Sequence, residues 1–325
     1  KILTIVVIIG IVLIILNCYL IEVIFTNKNY ICSGAIMSET QYLAAKTIDE
    51  AVTAHSKANG SARFLAGGTD LLVQIKSGIK KPELVIDIKK IVELNSIKEV
   101  TDNEFVVGAS VSGANLNRNK KFTKLWPGVI EAFRLIGSEQ IQGRASLGGN
   151  LCNGSPAGDS VPALIAAGCK AIIAGPDGTK EVPIENFHKG PGKTVLENGE
   201  MLVSLKFPKR EKNSSDAYLR MTPRTEMDIA VVGCAVNITL DNNICTAARV
   251  SLGAVAPTPL LIEEASKIMV GTDLNSEVLD KVADLCMQAC NPINDKRGTI
   301  DYRTKVSGVL FKRSVLIAID RIKGN

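Results

Sequence analysis

Two glycine pairs, Gly67-Gly68 and Gly148-Gly149, constrain this chain more than any other feature. Adjacent glycines let a backbone take φ > 0 and let another group approach closely. The second pair lies in Ser146-Leu147-Gly148-Gly149-Asn150, and small and polar residues follow as far as Ser160. Such a run is poor material for a packed core. It is good material for holding an anion on N–H and hydroxyl donors. Around the first pair, Arg63–Ala66 predicts a short strand, Gly67-Gly68-Thr69-Asp70 a turn, and Leu71–Lys76 a helix. A Gly-Gly-Thr turn that opens a helix gathers free N–H groups and the positive dipole end at one point, which suits a phosphate. A single Gly-Gly pair after a strand is more often only a turn. Two of them, the second with its polar run, make a pyrophosphate the first ligand to expect.

The 325 residues are enough for two domains, on a prior of roughly 100–200 residues each. A net charge of +5 is mild and aromatic content is only 4%. Neither suits a nucleic-acid groove or a base-stacking surface. Ile2 to Ile21 is almost wholly apolar, long enough to span roughly 30 Å as a helix. It makes a weak secretory signal, with a single lysine before it and no small-x-small cleavage site after it. Two readings remain: a membrane anchor, or an over-extended reading frame with Met37 as the true start. The second is preferred, and residues 1–36 are set apart from the fold argument.

Eight cysteines stand at 18, 32, 152, 169, 234, 245, 286 and 290, and no pair is spaced Cys-x-x-Cys. They read as small buried hydrophobes, not as a metal site or a disulfide framework, which suits a reducing cytoplasm. Thr47-Ile48-Asp49-Glu50 is a capping box, opening a helix that Asn59-Gly60 should end. Strands are expected at Leu84–Ile88, Phe105–Ala109, Lys170–Ala174 and Met201–Phe207, and helices at Ser112–Asn119, Gly128–Ile136 and Val161–Ala167. Gly190-Pro191-Gly192-Lys193-Thr194 is not a phosphate-binding P-loop, because Phe187 stands where that pattern needs glycine. It reads as an exposed turn. Pro208–Asp216 is polar and without hydrophobic period, and marks a domain boundary or an exposed hairpin. Beyond it a hairpin around Asp241-Asn242-Asn243 is followed by helices from about Leu260, Ser276 and Asp301, an α+β arrangement.

Catalytic groups are scarce. His55 falls in the first helix and is expected at the surface; His188 stands in a polar loop with no nucleophile beside it. Nucleophile-elbow, zinc-protease and Gly-x-Gly-x-x-Gly patterns are missing. No catalytic or metal-binding residue is assigned. A chain that binds a phosphate-bearing molecule and has little acid–base machinery suits a cofactor that does the chemistry.

Leu65-Ala66-Gly67-Gly68-Thr69-Asp70-Leu71 and Ser146-Leu147-Gly148-Gly149-Asn150-Leu151-Cys152-Asn153, with Ser155-Pro156 and Asp159, resemble the flavin-binding medium subunit of molybdenum hydroxylases, the xanthine dehydrogenase and carbon monoxide dehydrogenase group. The likeness continues in order through Gly190–Thr194, Met227–Ala230, Leu252–Pro259 and Asn291–Gly298, and covers nearly all of residues 37–325. It implies an α+β protein: an FAD-binding domain of the vanillyl-alcohol oxidase and p-cresol methylhydroxylase (PCMH) type over 37–210, then a smaller α+β domain over 214–325. The second would resemble the C-terminal domain of the carbon monoxide dehydrogenase flavoprotein. It also implies that Phe64, Leu65, Ala66, Gly67, Gly68, Thr69, Asp70 and Leu71 form one loop on non-covalent FAD, and Ser146, Leu147, Gly148, Gly149 and Asn150 the other. Asp159 would bond ribose or ribityl hydroxyls, and Ile136 and Leu202 would pack on the cofactor. Arg220 falls where the family often has lysine near the flavin ring, which keeps the charge but not the geometry. Asp159 could instead cap the helix after it, and Arg224 with Asp228 reads as a structural ion pair.

The resemblance further implies a cytoplasmic electron relay. A small iron–sulfur subunit would deliver electrons from [2Fe–2S] clusters, a large molybdopterin subunit would oxidise the substrate, and NAD⁺ or another acceptor would take the electrons. Two rivals stand beside it: a stand-alone flavin oxidase of the same fold, and a membrane-anchored, non-catalytic binding protein that uses residues 1–36.

Overall fold

The computed structural model describes residues 40–225 and 227–324. The apolar N-terminal run, Met37, Cys18 and Cys32 lie outside the described residues. Among the described residues, no helix is long and apolar enough to cross a membrane.

The chain opens with β1 (Gln41–Ala44), α1 (Ile48–Lys57), β2 (Ala62–Leu65), α2 (Leu71–Lys76) and β3 (Leu84–Asp87). The capping box forms as expected: Thr47 Oγ1 accepts from the Glu50 N–H at 3.1 Å, and the Glu50 carboxylate accepts from the Lys46 N–H at 2.8 Å. Asn59 and Gly60, both at positive φ, end the helix. The three strands form a parallel sheet in the order β1-β3-β2. β1 has no strong sequence signal; it exists because β3 offers it an edge.

Next come β4 (Ile97–Thr101), β5 (Glu104–Gly108), α3 (Gly113–Arg118), α4 (Lys120–Leu125), α5 (Pro127–Arg134), α6 (Glu139–Gln142), α7 (Leu147–Cys152) and α8 (Ser160–Ala166). They are followed by β6 (Lys170–Gly175), β7 (Gly178–Pro183), β8 (His188–Gly190), β9 (Lys193–Thr194) and β10 (Met201–Phe207). β4-β5-β10-β6-β7 is an antiparallel sheet. Its core takes in Phe122, Trp126, Phe133 and Phe207, all at most 1% exposed, and each such side chain stabilises the fold by about 1.5–3 kcal/mol. The register of β10 against β6 shifts between Leu202 and Ser204, a bulge of the kind that re-aims side chains beside binding sites.

The second half is β11 (Ser214–Met221), β12 (Val232–Asp241), β13 (Ile244–Gly253) and β14 (Leu260–Leu261), then α9 (Glu263–Met269), α10 (Ser276–Gln288) and α11 (Ile300–Lys323). The strands pair antiparallel in order. Asn242 and Asn243 both take positive φ, 47° and 66°, as a two-residue type I′ hairpin requires. Leu260-Leu261, expected to begin a helix, adds instead a short edge strand to β13. Gly308 of α11 lies against Ala283 of α10, so the two helices approach closely. The segment Asn291–Gly298 is a braced turn. The Asp295 carboxylate accepts from the Arg297 and Gly298 N–H groups and from the buried Arg303 guanidinium.

Cys169, Cys234, Cys245 and Cys286 are buried, as expected of small hydrophobes, but Cys152 is exposed. Among the described residues, no group of side chains is arranged to hold a metal ion.

Candidate functional site

A cleft of about 800 Å³ opens between the β2–α2 turn, the start of α7, the β8–β9 hairpin and the start of β10, a volume near the upper end for ligand sites. Its lining divides by chemistry. One part is polar: Gly67 to Asp70, Ser146, Gly148 to Asn150, and the lysines Lys80, Lys189 and Lys193. The other is apolar: Phe64, Ile88, Ala109, Ile136, Met201 and Leu202.

The β2–α2 turn leaves its N–H groups unbonded, as its residue order leads one to expect. Among the described residues, the N–H groups of Gly67, Gly68, Thr69 and Asp70 meet no acceptor. Asp70 precedes α2 without capping it. Consecutive uncapped N–H groups are costly unless water or an anion takes them. Gly68 alone of the four paired glycines takes a left-handed φ, 78°. A Cβ on Gly67 would run into the Arg144 carbonyl, and one on Gly148 into the Ala109 carbonyl. Those two glycines are required by close backbone packing and not by positive φ.

The second stretch is not a loop but the first turn of α7. Ser146 Oγ accepts from the Gly149 N–H at 3.0 Å and caps it. Asn150 Oδ1 accepts from the Ser160 hydroxyl at 2.7 Å, which ties α7 to α8. The two glycine stretches are linked side chain to side chain. Asn153 donates to Asp70 Oδ1 at 3.4 Å and accepts from Gln74 at 3.3 Å. Burial raises the Asp70 carboxyl above its ordinary range, partly offset by the Thr69 hydroxyl.

The Gly190–Thr194 turn is exposed at Pro191, Gly192 and Lys193, as expected, and it also borders the cleft. Gly192, Lys193 and Thr194 line the cleft. The hairpin is fixed at both ends: the Gly192 N–H donates to the Gly154 carbonyl at 2.9 Å, and His188 Nε2 donates to the Leu151 carbonyl at 2.8 Å. Burial lowers the His188 imidazole, and the Leu151 carbonyl works against that shift.

Of the residues singled out in the sequence, Phe64, Ala66 to Leu71, Ile136, Ser146, Gly148 to Asn150 and Leu202 meet on the cleft wall. Leu65, Leu147, Asp159 and Arg220 do not. Leu65 and Leu147 are packed into the interior. Asp159 is buried, with both carboxylate oxygens taken: Tyr218 Oη donates to Oδ1 at 2.9 Å and Arg220 Nη1 to Oδ2 at 2.7 Å. It stands at the N-cap position of α8 but caps no N–H there. Arg220 lines a separate cavity of about 630 Å³ with Arg134, Gln142 and Thr225. Arg224 and Asp228 pair at 3.5 Å, and Arg297 joins the same carboxylate at 3.4 Å.

His55 is not a surface residue. It is half-buried on the cleft wall, its ring stacked on Phe64 with centroids 4.4 Å apart. Ile88, Lys80, Lys189 and Met201 are further wall residues that no local motif marks. They arrive there by strand pairing and by hairpin anchoring.

Comparison with known proteins places these features in a family. Residues 38–210 match the family described as FAD binding domain in molybdopterin dehydrogenase. Residues 217–318 match the carbon monoxide dehydrogenase flavoprotein C-terminal domain. The chain is 34% identical over 283 residues to the carbon monoxide dehydrogenase medium chain of Afipia carboxidovorans, covering 87% of this chain and 97% of that one. It is 30% identical over 279 residues to the xanthine dehydrogenase FAD-binding subunit of Escherichia coli O157:H7, covering 86% and 95%. Among solved structures, a chain of reconstituted carbon monoxide dehydrogenase from Oligotropha carboxidovorans superposes with a TM-score of 0.84 at 32% identity, covering 88% of this chain and 100% of that one.

Proposed function

Because this chain belongs to the FAD-binding medium subunits of the xanthine dehydrogenase and carbon monoxide dehydrogenase family, we propose that it is the electron-relay subunit of a three-subunit molybdenum hydroxylase. The observation that carries this reading is the cleft: four consecutive N–H groups without acceptors beside an apolar wall, in a volume large enough for a dinucleotide. The N–H groups of Gly67 to Asp70, with Lys189 and Lys193, would receive a pyrophosphate. Phe64, Ile88, Ile136 and Leu202 would exclude water around a flat ring. These residues would hold FAD, which would supply redox chemistry able to couple single electrons from [2Fe–2S] clusters of a small partner to a two-electron acceptor such as NAD⁺. A large molybdopterin subunit would carry the substrate site. The six described cysteines are free thiols, which supports a reducing cytoplasm.

A stand-alone oxidase with flavin bound covalently to histidine is less well supported. His188 and His55 already spend a ring nitrogen on backbone groups, the Leu151 carbonyl and the Gly199 N–H.

The test is the visible spectrum of the purified chain, then acid precipitation and identification of what is released. Flavin bands with free FAD in the supernatant are the expected result, and iron–sulfur partners should co-purify. A colourless protein that also refuses added FAD would overturn the reading.

A further inference from the structure

We propose that His55 is a positioning residue for the cofactor cleft, joining two of its walls through an imidazole that must be neutral to do so. The inference rests on the cleft being the FAD site.

The geometry is a clasp. His55 projects from α1 and its ring lies nearly parallel to that of Phe64 on β2, at 14° and 4.4 Å between centroids. Phe64 is itself a wall residue, so the imidazole backs the apolar surface on which a ring would rest. On its other side, His55 Nδ1 accepts from the Gly199 N–H at 3.0 Å. Gly199 belongs to the 195–200 segment between β9 and β10, which contributes Leu196, Glu197 and Glu200 to the cleft and leads into Met201 and Leu202. One residue away, Asn198 Nδ2 donates to the Ser56 carbonyl at 3.2 Å. Gly199 sits at φ 84°, and a Cβ there would crowd Pro176 and Ser56. The segment is thus pressed against the end of α1 by two bonds and a close backbone approach.

The tautomer follows from the bond. With Nδ1 accepting, the neutral ring carries its proton on Nε2. An imidazolium has N–H on both nitrogens and cannot accept. Protonation therefore turns the Gly199 contact from a bond into two opposed donors. Arg63 on β2 acts on the charge of the ring; Glu197 and Glu200 of the segment share the cleft lining with it, and Lys180 of β7 pairs with Glu200. Burial, then Arg63, holds the imidazole below its ordinary range, so the clasp is closed at neutral pH and opens in acid.

The experiment is FAD affinity by fluorescence quenching, on the full chain stripped of cofactor, from about pH 7.5 to about pH 5 across the histidine range. Wild type is expected to bind FAD about tenfold more weakly at the acid end, as fits one lost buried hydrogen bond. His55→Gln keeps an acceptor without titrating, and its affinity should change less with pH. His55→Phe keeps a stacked ring but no acceptor, and should bind weakly throughout. Asp70, Glu197 and Glu200 remain in every variant, so the difference between profiles isolates His55. Superimposable wild-type and His55→Gln profiles would overturn the inference while leaving the FAD site intact. Wild type that binds no FAD at any pH would overturn the site and the inference together. A second measurement needs no variant: the protection factor of the Gly199 amide in wild type, its hydrogen-exchange rate corrected for the intrinsic pH dependence, should fall as the His55 ring protonates, and a protection factor free of that titration would also sink the clasp.

Discussion

Arg220 Nη1 lies 2.7 Å from Asp159 Oδ2, and the side chains are only 4% and 9% exposed. Burial pushes the Asp159 carboxyl up to about 6, against the downward pull of Arg220 and Tyr218. Its ordinary value is 3.8, so the folded state holds the proton more tightly than the unfolded chain does. The stabilising contribution is complete below about pH 4 and is lost as pH rises through about 6. Asp159→Asn should remove that loss, so its melting temperature should vary less with pH than that of wild type over this window. Arg220→Met removes a partner that lowers the Asp159 carboxyl, so Asp159 should take up a proton near neutral pH, and the lost charge-assisted bond should cost about 1.5–3 kcal/mol, read by urea denaturation.

Gly67 and Gly149 look alike in sequence but should respond differently to alanine. A Cβ on Gly67 meets the Arg144 backbone, which cannot swing aside. Gly67→Ala should therefore cost about 1–3 kcal/mol and lower FAD content together. A Cβ on Gly149 meets only Ser146 Oγ at 3.1 Å and otherwise faces open cleft. In Gly149→Ala, better helix propensity opposes crowding of the capping Ser146 hydroxyl, so apo stability should change by less than about 1 kcal/mol, while FAD binds more weakly. Calorimetry on apo protein beside a flavin titration separates the two effects.

Ser146 caps α7 through its hydroxyl. Ser146→Ala should destabilise the fold by about 1 kcal/mol, and Ser146→Thr should restore it, measured as shifts in denaturation midpoint at constant m.

His188 anchors the hairpin that carries Lys193 into the cleft. Replacing it by phenylalanine removes the bond to the Leu151 carbonyl, worth about 1 kcal/mol. The expected consequence is an FAD dissociation rate several-fold faster with little change in secondary structure. Stopped-flow release would show it, and an unchanged rate would mean that the hairpin is held by other contacts.

Much of the local architecture was legible in residue order because its causes are local. Thr47 and Glu50 can reach the first-turn N–H groups of α1 whatever the rest of the chain does. Asn242-Asn243 can adopt left-handed φ and so closes its hairpin unaided. The Gly67–Asp70 turn was legible as a source of uncapped N–H groups because these follow from the turn itself. Other features depended on partners distant in sequence. β1 needed β3, more than 40 residues away. His55 read as a surface residue because nothing near it in sequence reveals Phe64 or Gly199, and Gly199 is 144 residues on. Asp159 is expected, by resemblance, to bond sugar hydroxyls; that its oxygens also accept from Tyr218 and Arg220, neighbours on a strand of the second half, nothing nearby in sequence reveals. Sequence by itself determined the turns, caps and glycine stretches, where a residue's own φ, ψ and short-range donors decide the outcome. Tertiary structure alone decided which side chains line the cleft and which carboxylates are already paired, because burial and pairing depend on which distant segments pack together.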